Sequence, residues 1–335
     1  MRKKQAFAYG RFFGQMALSV LVLAALGLAA GPKADPAQAV FGFSPSTPSS
    51  TAQADRIAPV GEEELTAEAE VAVGPQWQVT AEELEDLSNL EYLKSHFYIV
   101  DSRTALLPGD VDAQDFLARD FSLDRTEEGP KVLIFHTHSQ EKFADSAGVS
   151  EGVWGVGEYL KEQLEQRYGI SVLHHPGQYD IVDGQSQILG AYERMEPDIR
   201  QVLEENPSIE LVIDLHRDGV NESVHLVEEV NGKPCAKIMF FNGMCRLMED
   251  GQPTELTNLA NPYRQDNLAL SFQMQVAAEH LYPGWARNVY LNAYRYSLHM
   301  KPKSLLVEVG AQTNTYEEAC NAMELLADVI ASVVG

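Results

Sequence analysis

In the segment KVLIFHTHSQEKF, which begins at Lys131, four apolar residues are followed by His136, His138 and Glu141. A short apolar run bounded by polar residues reads as a strand buried in a sheet. Histidines directly behind it stand where imidazoles can bind a metal or move a proton. Two later runs repeat the arrangement. LVIDL leads into His216, Arg217 and Asp218, and LLVEV carries Glu308 near its end, inside an apolar stretch. A lone carboxylate there is expensive to ionise, so it is either paired or shifted in pKa. Two histidine sets and a carboxylate at three strand ends point to zinc. Catalytic zinc sites take about three N/O ligands and leave one position for water.

The residue assignments follow with their alternatives. His136 and His138 share a side if the strand continues; if it ends at Phe135, one can ligate while the other orients. His216 is the second imidazole ligand. Glu141 is the preferred carboxylate ligand, with an outer partner or a solvated turn residue as its other readings, and Glu151 competes for the role. Glu308 is the general acid/base, and the alternative is a structural ion pair with an arginine such as Arg217. His174 and His175 end another strand without an evident partner, and His96, His225, His280 and His299 are assigned to packing or surface. No HExxH, Walker or GxSxG motif occurs, which lowers the thermolysin-type, nucleotide and α/β-hydrolase readings.

The elements that must position these residues alternate strand and helix from Lys131 to the end. Helices are expected at VWGVGEYLKEQLEQRYG, with Gly169 as the stop, in two pieces around Pro197, at DNLALSFQMQVAAEHLY as an amphipathic helix, and after a Thr315/Glu318 capping box. Such alternation implies an α/β fold with a largely parallel sheet between helix layers. Ligands of such sheets bind beyond the carboxyl ends of the strands. Upstream, Thr80 and Glu83 form a second capping box, and residues 80–130 read as a helical lead-in packed on a 131–335 hydrolase domain.

The chain has 335 residues and a net charge of −24, from 49 acidic against 25 basic side chains. That balance disfavours nucleic acid, whose binding needs a basic face. Residues 32–90 carry 11 acidic and 2 basic side chains, so much of the excess sits beside the fold. Residues 32–79, rich in Pro, Ser, Ala and Glu, read as a disordered tether. Residues 1–31 hold a basic end and an uncharged run of 19 residues, Phe12 to Ala30, long enough to span a bilayer. The flanking charges send the rest of the chain outside the cytoplasm. A cleaved signal peptide ending near AQA at 37–39 is the rival. Cys235, Cys245 and Cys320 form no CxxC pair.

Four segments, LIFHTHSQE at 133–141, VGEYLKEQLEQRYGI at 156–170, VIDLHRDG at 212–219 and KPKSLLVEVGAQTNTYEEA at 301–319, resemble the stage II sporulation protein P family. These are engulfment-stage cell-wall hydrolases of endospore-forming bacteria. The likeness covers about residues 85–335. More remotely, the pattern is similar to zinc-dependent N-acetylmuramoyl-L-alanine amidases, without their glycine-rich segment around the first histidine. The resemblance implies a membrane-anchored peptidoglycan hydrolase that cuts the N-acetylmuramoyl-L-alanine amide, with peptide cross-links as a further target. It also implies work beside stage II sporulation proteins D and M. In that reading zinc is held by His136 or His138, His216 and Glu141, Glu308 moves the proton, and Arg217 helps to stabilise the oxyanion. Arg194 and Arg287 are weaker candidates for gripping stem-peptide carboxylates. The rival classes are a zinc peptidase and a tethered binding or scaffold protein with an inactive site.

Overall fold

Strand after strand in this chain is apolar on both faces, as a sheet covered by helices requires. The computed structural model describes residues 74–335. Seven strands form the main sheet: β1 (Tyr98–Val100), β2 (Val132–Phe135), β3 (Val172–His174), β4 (Leu211–Asp218), β5 (Ile238–Gly243), β6 (Ala286–Asn292) and β7 (Lys303–Ala311). Their order is β1-β6-β5-β7-β4-β2-β3. Five of the six neighbouring pairs are parallel, and β5 with β7 is antiparallel. The sheet is thus two parallel blocks back to back, and the carboxyl ends of β7, β4 and β2 emerge at one edge.

The expected span at Phe12–Ala30 and most of the expected tether lie outside the described residues. Among the described residues, no helix is long and apolar enough to cross a membrane.

Among the described residues the longer helices dress the sheet: α1 (Ala81–Leu87), α2 (Ala113–Ala118), α3 (Val153–Tyr168), α4 (Ala191–Glu205), α5 (Arg264–Leu281) and α6 (Tyr316–Val334). Both expected capping boxes are formed, at Thr80/Glu83 and at Thr315/Glu318. Gly169 closes α3 at φ 60°, a left-handed conformation that suits glycine. Leu211, Ile213 and Leu215 of β4 join the larger core under α3, α5 and α6. Val212 joins Leu133 and Phe135 under α4 on the other face. Even-numbered β4 residues therefore face α4, a parity that decides the site.

Two helices differ from the sequence reading. Pro197 does not begin a new piece: α4 runs through it, keeping Met195, Ile199 and Leu203 buried on the stripe that covers β2 and β4. The burial of that stripe holds the helix across the missing N–H. The helix α5 is not amphipathic over its middle, because every residue from Asn267 to Ala278 is buried. It is enclosed by the sheet, α6 and the 80–130 lead-in, whose Phe97 and Phe116 rings lie 4.7 and 5.7 Å from Phe272.

Candidate functional site

Strand β2 stops at Phe135, and this separates its two histidines. Alternation points His136 at the α3 face, since Val132 and Ile134 face that core while Leu133 and Phe135 face α4. Its Nδ1 lies 2.7 Å from the Leu215 carbonyl and its Nε2 2.9 Å from Nε2 of His174. His174 Nδ1 in turn meets Glu158 Oε2 at 2.7 Å. Burial pushes the His136 imidazole down to about 3. This buried pair is built around Gly157: a Cβ there would come within 2.7 Å of His136 Nε2 and 3.0 Å of His174 Nε2. Gly157→Ala is therefore expected to cost about 1–3 kcal/mol of stability by overpacking, although alanine is the better helix former. A denaturant midpoint that rises instead would show that the two rings yield freely.

Past Phe135 the chain leaves the sheet and crosses to the α4 side. Two buried carboxylates tack it down. Thr137 donates to Asp214 through its N–H (2.9 Å) and its hydroxyl (2.8 Å). Ser139 Oγ and Gln140 N–H donate to Asp180 at 2.9 and 3.0 Å. Pinned on both sides, His138 brings its ring to 5.4 Å from that of His216. Glu141 follows, its Oε2 3.6 Å from His216 Nδ1 and accepting from the Arg217 N–H at 3.0 Å.

His216 and Asp214 lie two residues apart on β4, so both project to this face. Asp214 Oδ1 sits 2.8 Å from His216 Nε2, at an angle that leaves this nitrogen without a hydrogen bond. On β7, Glu308 is the register neighbour of His216, and the strand's register shifts between Glu308 and Ala311. Gly310 takes φ 54° there. Such irregularities re-aim side chains at sheet rims. Glu308 Oε2 and His138 Nδ1 are both enclosed without a hydrogen-bond partner among the described residues.

Electrostatics separates the three carboxylates. Burial pushes Glu308 up to about 8, opposed by the His216 imidazole and aided by Glu141, Asp218 and Asp214. Burial opposes ionisation of Asp214 and Glu141, but His216 outweighs it, together with Thr137 at Asp214 and with His138 and Arg217 at Glu141, so both lie below the usual range. Those two carboxylates hold His216 well above the ordinary imidazole value despite its burial. One carboxyl poised near neutrality beside two held ionised is the division of labour that acid/base chemistry uses.

The structure thus brings His138, Glu141, His216 and Glu308 together and sends His136 to the far face. Arg217 borders the site, but its guanidinium donates to the carbonyls of Lys142 (2.9 Å) and Asp218 (3.0 Å). The Glu151 carboxylate accepts from the Ala147 N–H. Arg194 donates to the Tyr179 carbonyl, and Arg287 pairs with Asp218. His175 meets Asp198. Sequence reasoning missed Asp214 and Thr137. The signal was available: in VIDLH, Asp214 lies two residues before His216, on the same side of a strand.

Among the described residues, no group of three or more His, Cys, Asp or Glu side chains stands in a complete metal-holding arrangement. The strand ends instead offer an open set with unspent donors, His138 Nδ1 above all. Two imidazoles and a carboxylate are the donor types of a hydrolytic zinc site. An Asp against the far nitrogen of one imidazole is the usual orienting partner. The donor chemistry fits a divalent cation.

Fold and site together define a mixed α/β protein with a largely parallel sheet and a histidine–carboxylate site at its strand ends. The chain belongs to the stage II sporulation protein P (SpoIIP) family, whose model matches residues 50–331. It is 23% identical over 218 residues to stage II sporulation protein P of Bacillus subtilis (strain 168), a match covering 60% of this chain and 50% of the relative. The matched stretch therefore spans about half the length of that relative. Among solved structures, the chain is similar to the CwlD amidase from Clostridioides difficile in complex with the GerS lipoprotein. That likeness has 15% identity, 61% of this chain, 95% of the other and a TM-score of 0.37. It is also similar to the catalytic domain of CwlV, an N-acetylmuramoyl-L-alanine amidase from Bacillus (Paenibacillus) polymyxa var. colistinus. There the identity is 11%, with 60% and 94% covered and a TM-score of 0.33.

Proposed function

We propose that this protein is a zinc-dependent peptidoglycan hydrolase of sporulation that cuts the N-acetylmuramoyl-L-alanine amide. The observation that carries the reading is the meeting of His138, Glu141 and His216 with a half-buried Glu308, whose enclosed Oε2 has no hydrogen-bond partner among the described residues. Membership of the SpoIIP family supports a role in sporulation, and a cell-wall substrate is part of this reading.

In this reading His138, Glu141 and His216 hold the metal, and Asp214 keeps the His216 ring in place from behind. Zinc, when bound, supplies a Lewis acid that acidifies water towards a pKa of about 7 and polarises the amide carbonyl. Glu308 accepts a proton from the attacking water and returns it to the nitrogen as the amide C–N bond breaks. The products are a lactyl carboxylate on the glycan and a free amine on the stem peptide. The apolar strand around Glu308 keeps its carboxyl near neutrality, where it can do both jobs.

The reading includes attachment to a membrane through the Phe12–Ala30 run, with the folded part outside the cytoplasm, and work beside stage II sporulation proteins D and M. These rest on the sequence and its resemblance. A mature chain starting near Val40 in cells would replace the anchor with a cleaved signal.

The test is product analysis. Purified peptidoglycan is digested by the full chain with and without zinc, and new amino termini are identified. Alanine termini that depend on zinc are expected. New termini on the cross-linking residue alone would make the protein an endopeptidase. Zinc-loaded protein that releases nothing, with its presumed partners added, would sink the hydrolase reading.

A further inference from the structure

The site holds metal-type ligands and an acid/base but, so far, no group to meet the negative charge that develops on the amide oxygen. The arginines nearby are committed: Arg217 to two carbonyls, Arg287 to Asp218 and Arg194 to the Tyr179 carbonyl. Tyr192, the second residue of α4, is different. Its ring stands edge-on to His138 at 5.8 Å. That contact sets the ring against one of the histidines of the site. Its hydroxyl hydrogen-bonds to no group among the described residues.

The ring is also held. It also meets Tyr296 edge-on at 5.6 Å. Tyr296 sits at φ 50°, a left-handed conformation that a non-glycine residue adopts only where its surroundings impose it. The loop carrying it is clamped to α4 one turn beyond Tyr192. Glu196 receives Arg295 at 2.8 Å and His299 at 2.9 Å. A strained tyrosine whose loop is tied to α4 at Glu196 thus braces a second tyrosine against the site, the kind of support a preorganised donor requires.

We propose that Tyr192 is a catalytic residue of this site, its phenol donating a hydrogen bond to the oxygen of the scissile amide as negative charge develops there. The inference rests on the hydrolase reading above. No proton is transferred: the O–H stays on Tyr192 while Glu308 carries the proton from water to nitrogen.

The experiment uses the zinc-loaded full chain and a soluble disaccharide–peptide, comparing wild type, Tyr192→Phe and Glu308→Gln. Phenylalanine keeps the ring and removes only the donor. Tyr192→Phe should lower kcat about 100-fold, as loss of one such donor does elsewhere. KM should stay within about twofold, with zinc content and Tm unchanged. A Tyr192→Phe enzyme with wild-type kcat, or one impaired in KM alone, overturns the proposal while an inactive Glu308→Gln leaves the hydrolase reading intact. If Glu308→Gln is as active as wild type, the hydrolase reading itself fails. Should Tyr192→Phe fold poorly, kcat per zinc-loaded folded chain is read well below its Tm, and a wild-type value there overturns the proposal.

Discussion

Glu308→Gln should abolish peptidoglycan hydrolysis, with kcat falling at least about 1,000-fold, while zinc content and fold are retained. General acid–base groups contribute roughly 100- to 10,000-fold, and this site holds no second carboxyl suited to the task. Asp214 is occupied by Thr137 and lies behind His216, and Glu141 accepts from the Arg217 N–H. Glutamine matches the shape of Glu308 but cannot accept the water proton. Zinc measured per chain, together with the rate of peptide release, checks the prediction. Loss of metal in this variant would mean that Glu308 is a ligand instead.

The same substitution has a consequence for stability. Burial raises Glu308 to about 8 in the metal-free chain, above the usual carboxyl range of about 4.3. A folded-state pKa above the unfolded one gives stability that is complete below the unfolded value and is lost as pH rises through the folded value. Metal-free wild type should therefore lose Tm between pH 5 and 8.5, and metal-free Glu308→Gln should lose less. Equal slopes would show that Glu308 is ionised in the folded chain throughout. A bound cation beside the carboxylate would favour its charged form, so added zinc should flatten the wild-type slope towards that of the variant.

How much of this was legible beforehand varies by residue. His216 and Glu308 could be placed because an apolar run fixes a strand, and a polar residue at its end has few places to go. The parity of β4 and the register with β7 then put both on one face. His136 and His138 could not be separated, because the answer lies in where β2 ends and in which neighbours anchor the next three residues. Asp180 and Asp214 do that anchoring, and Asp180 comes from a loop some forty positions away in the sequence. The antiparallel meeting of β5 and β7 was equally hidden. Alternating strand and helix fixes neighbours only when each crossover is short, and the stretch between β4 and β5 contains a hairpin, Val227–Val230 with Lys233–Ala236. The burial of α5 depended on the 80–130 lead-in, whose docking no local pattern announces. Arg217 read as an oxyanion partner or an ion-pair partner of Glu308, yet its backbone N–H serves Glu141 and its guanidinium serves two carbonyls.

His216→Ala should lose the metal outright, and Asp214→Asn should weaken zinc binding by about 10- to 100-fold. The first removes a ligand. The second removes only the group behind it, and orienting partners of that kind are worth roughly such a factor. The variants should differ in stability as well. Asp214 is buried, and His216 is the cation that lowers its pKa most. Deleting that cation leaves an ionised carboxylate that keeps its hydrogen bonds from Thr137 but has lost its ion-pair partner, and removing one partner of a buried pair costs about 3–5 kcal/mol. Asn at 214 removes the charge instead, and its amide oxygen can still accept from Thr137. Metal-free His216→Ala should therefore melt well below metal-free wild type, with Asp214→Asn between them. Zinc titration against a competing chelator, followed by thermal melting with and without metal, reads both effects in the same samples. If His216→Ala binds zinc as tightly as wild type, the ligands lie elsewhere. The buried His136–His174 pair across the sheet would then be the next place to look.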